Sequence, residues 1–343
     1  MRKTRLLKRV LPRPLQHLSQ RAFNAFAQRS TLAARVERLE FQLQELQQQL
    51  REMEAPSLLP PPASERKILE MLVEKEFAPA RHALENQATN EAKINLAISQ
   101  NDMMFRNVRH FASSTPAAYL RYMQIAFETV AIMEAVVKYK FGSWDEAGTI
   151  LDFASGYGRT TRFLVHRVSP EQIWVSDIKA RAVEFQEQHF GVNGFVSTLE
   201  PEELHVEQKF DCIFVISLFS HLSRESFARW LQRLCDVLSD TGIIAFSVHD
   251  VALLEPMGIE SQGDFTYLST SEETAFRSQD EQLRDSHYGS TFVSEKFVRE
   301  VIESLDFPSK TYARFPRSLI GKQDLYLLAR DGTDLSGLSF PGN

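Results

Sequence analysis

The stretch Thr149-Ile-Leu-Asp-Phe-Ala-Ser-Gly-Tyr-Gly-Arg159 decides how the rest of the chain is read. A short apolar run enters a turn of small residues, and the pattern then predicts a helix over 160–168. Small residues suit such a turn because the backbone passes within contact distance of a ligand, where a Cβ would collide. The helix that follows offers unpaired N–H groups to the polar end of that ligand. The dinucleotide fingerprint G-x-G-x-x-G is met only at its first two glycines, Gly156 and Gly158, since Thr161 holds the third place.

Working outward, residues 173–177 form a second strand ending in Asp177, placed to hydrogen-bond ribose hydroxyls. Residues 179–189 then read as a helix, 210–217 as a strand and 224–238 as a helix. A turn at 239–242 precedes a strand over 243–248. A late helix over 294–305 leads to strands near 310–315 and 323–329. Short β-branched runs alternating with helices are the mark of a parallel α/β sheet. Asp152, at the end of the first strand, is misplaced beside a pyrophosphate and suits the cationic amino end of methionine.

These segments resemble class I methyltransferases. Residues 151–158 match their glycine motif, Asp177 their ribose acid, Phe210-Asp211 the start of their fourth strand, and 238–242 the turn before their fifth. The likeness covers roughly 146–330, with Ala154 and Thr241 standing where a glycine is usual. It implies a Rossmann-like, mostly parallel seven-stranded sheet with helices on both faces, and S-adenosylmethionine as cofactor. The residues it places at the cofactor are Asp152, Ala154, Ser155, Gly156, Gly158, Arg159, Asp177, Ile178 and Ser217. A narrower similarity, carried by 217–222, 246–249, 288–294 and 323–327, is to a bacterial subset whose genes often adjoin glycosyltransferases. That subset implies a saccharide-type acceptor, although Asp250 and Lys322 replace its usual glycine and histidine.

Methyl transfer is an in-line displacement, so the protein mainly positions the nucleophile and, for a hydroxyl, removes its proton. His249, closing the fifth strand, is the candidate base or acceptor-orienting group, with an ordinary imidazole pKa near 6.5. His221 and Tyr288 are candidate acceptor contacts. The three histidines 221, 249 and 287 lack metal-ligand spacing, and no metal is expected. No Pro-Pro-aromatic element follows the fourth strand, which disfavours transfer to an exocyclic base nitrogen. Met103, Met104, Phe105, Tyr119 and Tyr122 either cap the cofactor or form core. Two other readings stay open: a non-catalytic scaffold, toward which Ala154 leans, and a nicotinamide-dependent oxidoreductase.

The amino-terminal third is organised differently. Residues 1–30 form a leader with eight basic side chains and no acid, leaving 31 basic against 45 acidic residues elsewhere. An acidic body argues against a nucleic-acid footprint, while the leader could meet an anionic surface. Within 31–55, Leu32, Val36, Leu39, Leu43, Leu46, Leu50 and Met53 repeat at heptad a/d spacing, the pattern of a homo-oligomeric coiled coil. A proline-rich linker spans 56–63, and helices are expected over 65–77, 79–111 and 116–140 of a cap region reaching 142. The domain proper then occupies 143–330, with 251–292 as a lid-like insertion and 331–343 as a tail. Cys212 and Cys235 both sit in apolar runs, so a reducing, cytoplasmic setting is expected, with no integral membrane segment.

Overall fold

The computed structural model describes residues 94–112, 114–269, 289–320 and 322–340. All lie in the second of two compact units, 56–343. The basic leader, the heptad segment, the proline linker, the helix expected over 65–77, His287 and Tyr288 fall outside the described residues.

Of the helix expected over 79–111, the described part is helical only as α1, Met103–Phe111. Asp102 sets that boundary: its side chain accepts the Phe105 N–H at 3.0 Å, satisfying a first-turn donor. The next helix, α2 (Thr115–Phe141), starts at a Ser114 cap and stops at Gly142, whose φ of 93° suits glycine. Its predicted stripe of Tyr119, Tyr122, Ala126, Val130, Met133 and Val137 is buried throughout.

After α2 come β1 (Ile150–Phe153), α3 (Thr161–Leu164), β2 (Ile173–Asp177), α4 (Ala180–Phe190), β3 (Asn193–Val196) and β4 (Phe210–Val215). Then follow α5 (Arg224–Asp236), β5 (Leu238–Asp250), β6 (Phe265–Ser269), β7 (Gly289–Val293), α6 (Glu295–Ser304), β8 (Tyr312–Leu319) and β9 (Gln323–Ala329). The sheet runs β3-β2-β1-β4-β5-β7-β6, and β9 pairs with β5 and with β8. Pairings from β3 through β5, and that of β5 with β7, are parallel; those of β9 and the β6–β7 hairpin are antiparallel. This is a Rossmann-like fold with helices on both faces.

Among the described residues its nine strands exceed the expected seven. The surplus comes largely from the segment read as a lid, whose described ends form β6 and β7 and continue the sheet at the tip of β5. Alternation in 265–269 and 289–293 is too short to announce a hairpin across so many intervening residues. The turn expected at 239–242 is absorbed into β5, where the register with β4 shifts between Phe210 and Cys212. The helix expected over 160–168 shrinks to the single turn of α3. The tail is docked rather than free: Leu335, Leu338 and Phe340 are buried, and Lys140 of α2 pairs with Asp331 at 2.5 Å.

Period-two alternation divides the strands between two cores. Ile150, Val175, Cys212, Phe214, Ile243, Ala245, Leu325 and Leu327 pack with α2 and α4. Leu151, Phe153, Ile213, Val215, Phe246, Tyr326 and Leu328 pack with α5 and α6 through Trp230 and Phe297. Both cysteines are free and buried, and burial pushes their thiols up, that of Cys235 to about 12. Among the described residues, no helix is long and apolar enough to cross a membrane.

Candidate functional site

The same alternation places the site. Asp152 lies two residues after Ile150, Asp177 two after Val175, and His249 four after Ala245, all on the sheet face that α2 covers. Ligands of open α/β sheets bind beyond the carboxyl ends of the strands, and all three residues stand at such ends.

The turn after β1 takes left-handed backbone at alternate residues: φ is 58° at Ala154, 58° at Gly156 and 72° at Gly158. The two glycines serve different ends. A Cβ on Gly158 would stand 2.5 Å from Phe190 and 2.9 Å from Gln186, so its bareness lets α4 pack. A Cβ on Gly156 would meet nothing within 4 Å, so this glycine keeps an opening free above the backbone. Asp177 braces the opening by accepting the N–H of Gly156 at 2.9 Å and that of Lys179 at 3.0 Å. Each oxygen keeps a second lone pair for a ligand hydroxyl. Burial raises its pKa above the ordinary carboxylate range, against those two backbone bonds.

Gln186 of α4, which the sequence did not single out, ties the turn to the helix. Its amide nitrogen donates to Ser155 Oγ at 2.8 Å and to the Gly156 carbonyl at 2.7 Å. Its oxygen accepts from Thr161 Oγ1 at 2.7 Å, and Thr161 Oγ1 stands 3.2 Å from Asp152 Oδ2. Asp152 is 3% exposed, and burial pushes its pKa up to about 7, with nearby Arg159 opposing and Asp177 adding.

The turn itself supplies the opposite charge, beside the cap region. The Arg159 guanidinium is buried, lies 5.9 Å from the centre of the Tyr122 ring, and has a buried Nε with no hydrogen-bond partner. Tyr122 donates to Asp102, and burial raises its pKa well above the usual phenol. Phe105, Tyr119 and Tyr122 are core, while Met104 is 37% exposed. Arg162 is committed to structure, donating to the carbonyls of Asn95, Ala97 and Gly158.

At the tips of β4 and β5 a second network forms. Ser217, with φ of 70°, gives its N–H to Ser247 Oγ at 2.8 Å, and Ser247 Oγ donates to Gln323 Oε1 at 2.9 Å. This orients the Gln323 amide nitrogen toward His249 Nε2, 3.2 Å away. The amide can only donate there, so His249 Nε2 accepts and the ring proton sits on Nδ1. That Nδ1 is buried without a partner. His249 stacks at 5.3 Å on Phe292, its cross-strand neighbour on β7, as Gln323 is on β9. Burial, with repulsion from His221 and Lys322, pushes its pKa down to about 4.

His221 anchors β7 through a 2.7 Å contact between its Nδ1 and the Gly289 carbonyl, and burial lowers its pKa. Asp250 does not assist His249. It caps the turn at Ala252 and binds Arg314 at 2.6 Å. Ile178 is half-buried just past β2, beside Asp177. Tyr288 is outside the described residues; of the candidate set the structure brings Asp152, Ser155, Gly156 and Asp177 together at the turn after β1, and Ser217 and His249 together on Gln323.

A family model described as a methyltransferase domain matches residues 150–242, from the first residue of β1 into β5. This stretch is a methyltransferase domain. The open side of Gly156, the acid at Asp177 and the orphaned Arg159 Nε fit S-adenosylmethionine, the cofactor that the resemblance implies. The scaffold and nicotinamide readings are not favoured. No curated protein matches the sequence. Among solved structures the chain is similar to magnesium protoporphyrin IX methyltransferase from Synechocystis with bound S-adenosylhomocysteine. The identity is 11%, with 76% of this chain and 99% of that one covered and a TM-score of 0.42. It is also similar to 1,6-didemethyltoxoflavin-N1-methyltransferase from Burkholderia thailandensis, at 16% identity, 81% and 92% coverage and a TM-score of 0.41.

Proposed function

We propose that the acceptor is a hydroxyl of a small or saccharide-type molecule, held against the sheet face by His249. When bound, S-adenosylmethionine supplies an electrophilic methyl group on its sulfonium. Asp177 would hold the ribose hydroxyls, with Ile178 and Ser217 lining the same edge. Arg159 would pair with the methionine carboxylate and Asp152 with its ammonium. The backbone of Ala154, Ser155, Gly156 and Gly158 would form the floor.

The observation that carries the acceptor reading is the state of His249: neutral, with Nε2 bound to Gln323 and Nδ1–H unpartnered. A base with a pKa of about 4 takes a proton poorly at pH 7. That mismatch is worth roughly 4 kcal/mol at 1.36 kcal/mol per unit. His249 therefore orients the acceptor by donating from Nδ1, with His221 supporting it from the facing loop, and the acceptor's own hydroxyl proton would pass to solvent as the methyl group is taken. A tritiated-methyl assay over sugars, nucleotide sugars and small phenols tests this. His249→Ala should lower turnover at least tenfold with cofactor affinity unchanged, and the parent rate should show no acid limb near pH 6.5. A limb at 6.5 that vanishes in the variant would restore His249 as an ordinary base and sink the orienting role.

A further inference from the structure

The hydrogens around Asp152 can be counted one by one. The Gly156 carbonyl can only accept, so the nitrogen of the Gln186 amide faces it and the oxygen faces Thr161. Ser155 Oγ accepts from that same nitrogen and donates to the Ser176 carbonyl at 3.3 Å, which closes the other end of the chain. Gln186 Oε1 has no hydrogen to give, so the single hydroxyl hydrogen of Thr161 lies in the 2.7 Å contact to it. The 3.2 Å contact between Thr161 Oγ1 and Asp152 Oδ2 then has no hydrogen from the threonine. A proton on Asp152 Oδ2 turns that contact into a hydrogen bond in which the acid donates to Thr161 Oγ1.

We propose that Asp152 is a neutral carboxylic acid in the cofactor-free protein, held so by Thr161 and Gln186, and that the ammonium of the cofactor's methionine end displaces its proton on binding. The inference rests on the reading that Asp152 receives that ammonium. The balance is simple: the O–H bond of the acid breaks, the proton leaves to solvent, and the carboxylate remains paired with the ammonium.

The surroundings agree. Burial, the largest influence, pushes the acid up to about 7, joined by the charge of Asp177 and opposed by Arg159 and, in the ionised form, by the Thr161 hydroxyl. The charged groups facing it are Arg159 from its own turn and Asp177 from β2; from the cap, Tyr122 of α2 and Asp102 face Arg159. On the strands either side, its partners Val175 and Phe214 are apolar, and Gln186 of α4 is neutral. Among the described residues Arg159 is thus the cation influencing the acid, and Asp102 draws on the same charge. An arriving ammonium makes a closer counter-ion. Thr161 and Gln186 act here as positioning residues, setting which form of Asp152 the cofactor meets.

The test is calorimetry of S-adenosylhomocysteine, which carries the same amino-acid end and cannot react, on the full chain. At pH 6 the enthalpy measured in buffers of different ionisation enthalpy should report release of about 0.9 proton per ligand, and at pH 7 about half a proton. Below pH 7 the ligand's α-ammonium stays charged, so the exchange belongs to the protein. Affinity should rise about tenfold between pH 5 and pH 6 and level off above 7. Asp152→Asn, whose amide keeps the donor to Thr161, should remove the proton release and the pH dependence. Thr161→Val should lower the release at pH 6 to below half, since the acid's proton loses its acceptor. Binding by the parent with buffer-independent enthalpy, or undiminished release in either variant, overturns the inference and leaves the cofactor reading standing. No heat of binding in any buffer overturns both.

Discussion

Ala154 and Gly156 share the same backbone region, with φ of 58° at each, yet only one of them is a glycine. A Cβ in left-handed backbone costs about 1–2 kcal/mol, and glycine returns part of this through its freer unfolded chain. Ala154→Gly should therefore stabilise the fold by about 0.5–1 kcal/mol, read as a rise of roughly 2 °C in Tm, and leave cofactor affinity intact. An unchanged or lower Tm would mean the alanine side chain makes compensating contacts. Gly156→Val should abolish cofactor binding in calorimetry, because its side chain enters the free space above the turn; normal binding would move the cofactor elsewhere. At Asp152 the linkage has a definite sign. The folded acid keeps a proton to about pH 7 that the unfolded chain releases near 3.8. Its contribution is therefore full below 3.8 and lost as pH rises through 7, on the order of 4 kcal/mol at most. Asp152→Asn should match the parent's urea midpoint near pH 4 and exceed it at pH 8, and equal midpoints at pH 8 would show that the acid is not held neutral.

β5 is where elements of different origin meet. Over 243–249 its edge pairs with β9, and at 249 and 250 it passes to β7. His249 stands at that handover, which is why it touches a residue from each neighbour. The junction is locked on the opposite face by Arg314 of β8, which binds Asp250 at 2.6 Å, Asp324 at 2.7 Å and Glu295 at 2.7 Å. The Asp324 side chain is 2% exposed, and the backbone N–H of Arg317 completes its partners. Arg314→Met would strand that carboxylate, and removing one partner of a buried pair costs about 3–5 kcal/mol. Because Arg314 is itself partly exposed, about 3 kcal/mol in chemical denaturation is the expected loss at pH 7. A loss under 1 kcal/mol would show that solvent replaces the arginine.

At the scale of the whole molecule, the heptad seam of 32–53 is the sequence's proposal for joining copies, with the prolines of 56–63 between it and the rest. Deleting 1–55 should lower the number of chains per particle in light scattering while S-adenosylhomocysteine still binds. An unchanged particle would put association in the body. The sequence by itself determined the fold class, because parallel strands buried on both faces spell their own apolar runs, and it determined the glycine turn, Asp152 and Asp177, because a backbone-binding turn tolerates few residue types. Only the tertiary structure decided that His249 shares a face with Asp152, that Gly158 packs while Gly156 stays open, and that Gln186 and Gln323 orient the two networks. A lone glutamine carries no local pattern, and a strand's alternation fixes relative but not absolute facing. Those facts come from which strands pair and which helix covers them, and the β6–β7 hairpin at the tip of β5 is of the same kind. It exists through long-range pairing that no stretch of ten residues encodes.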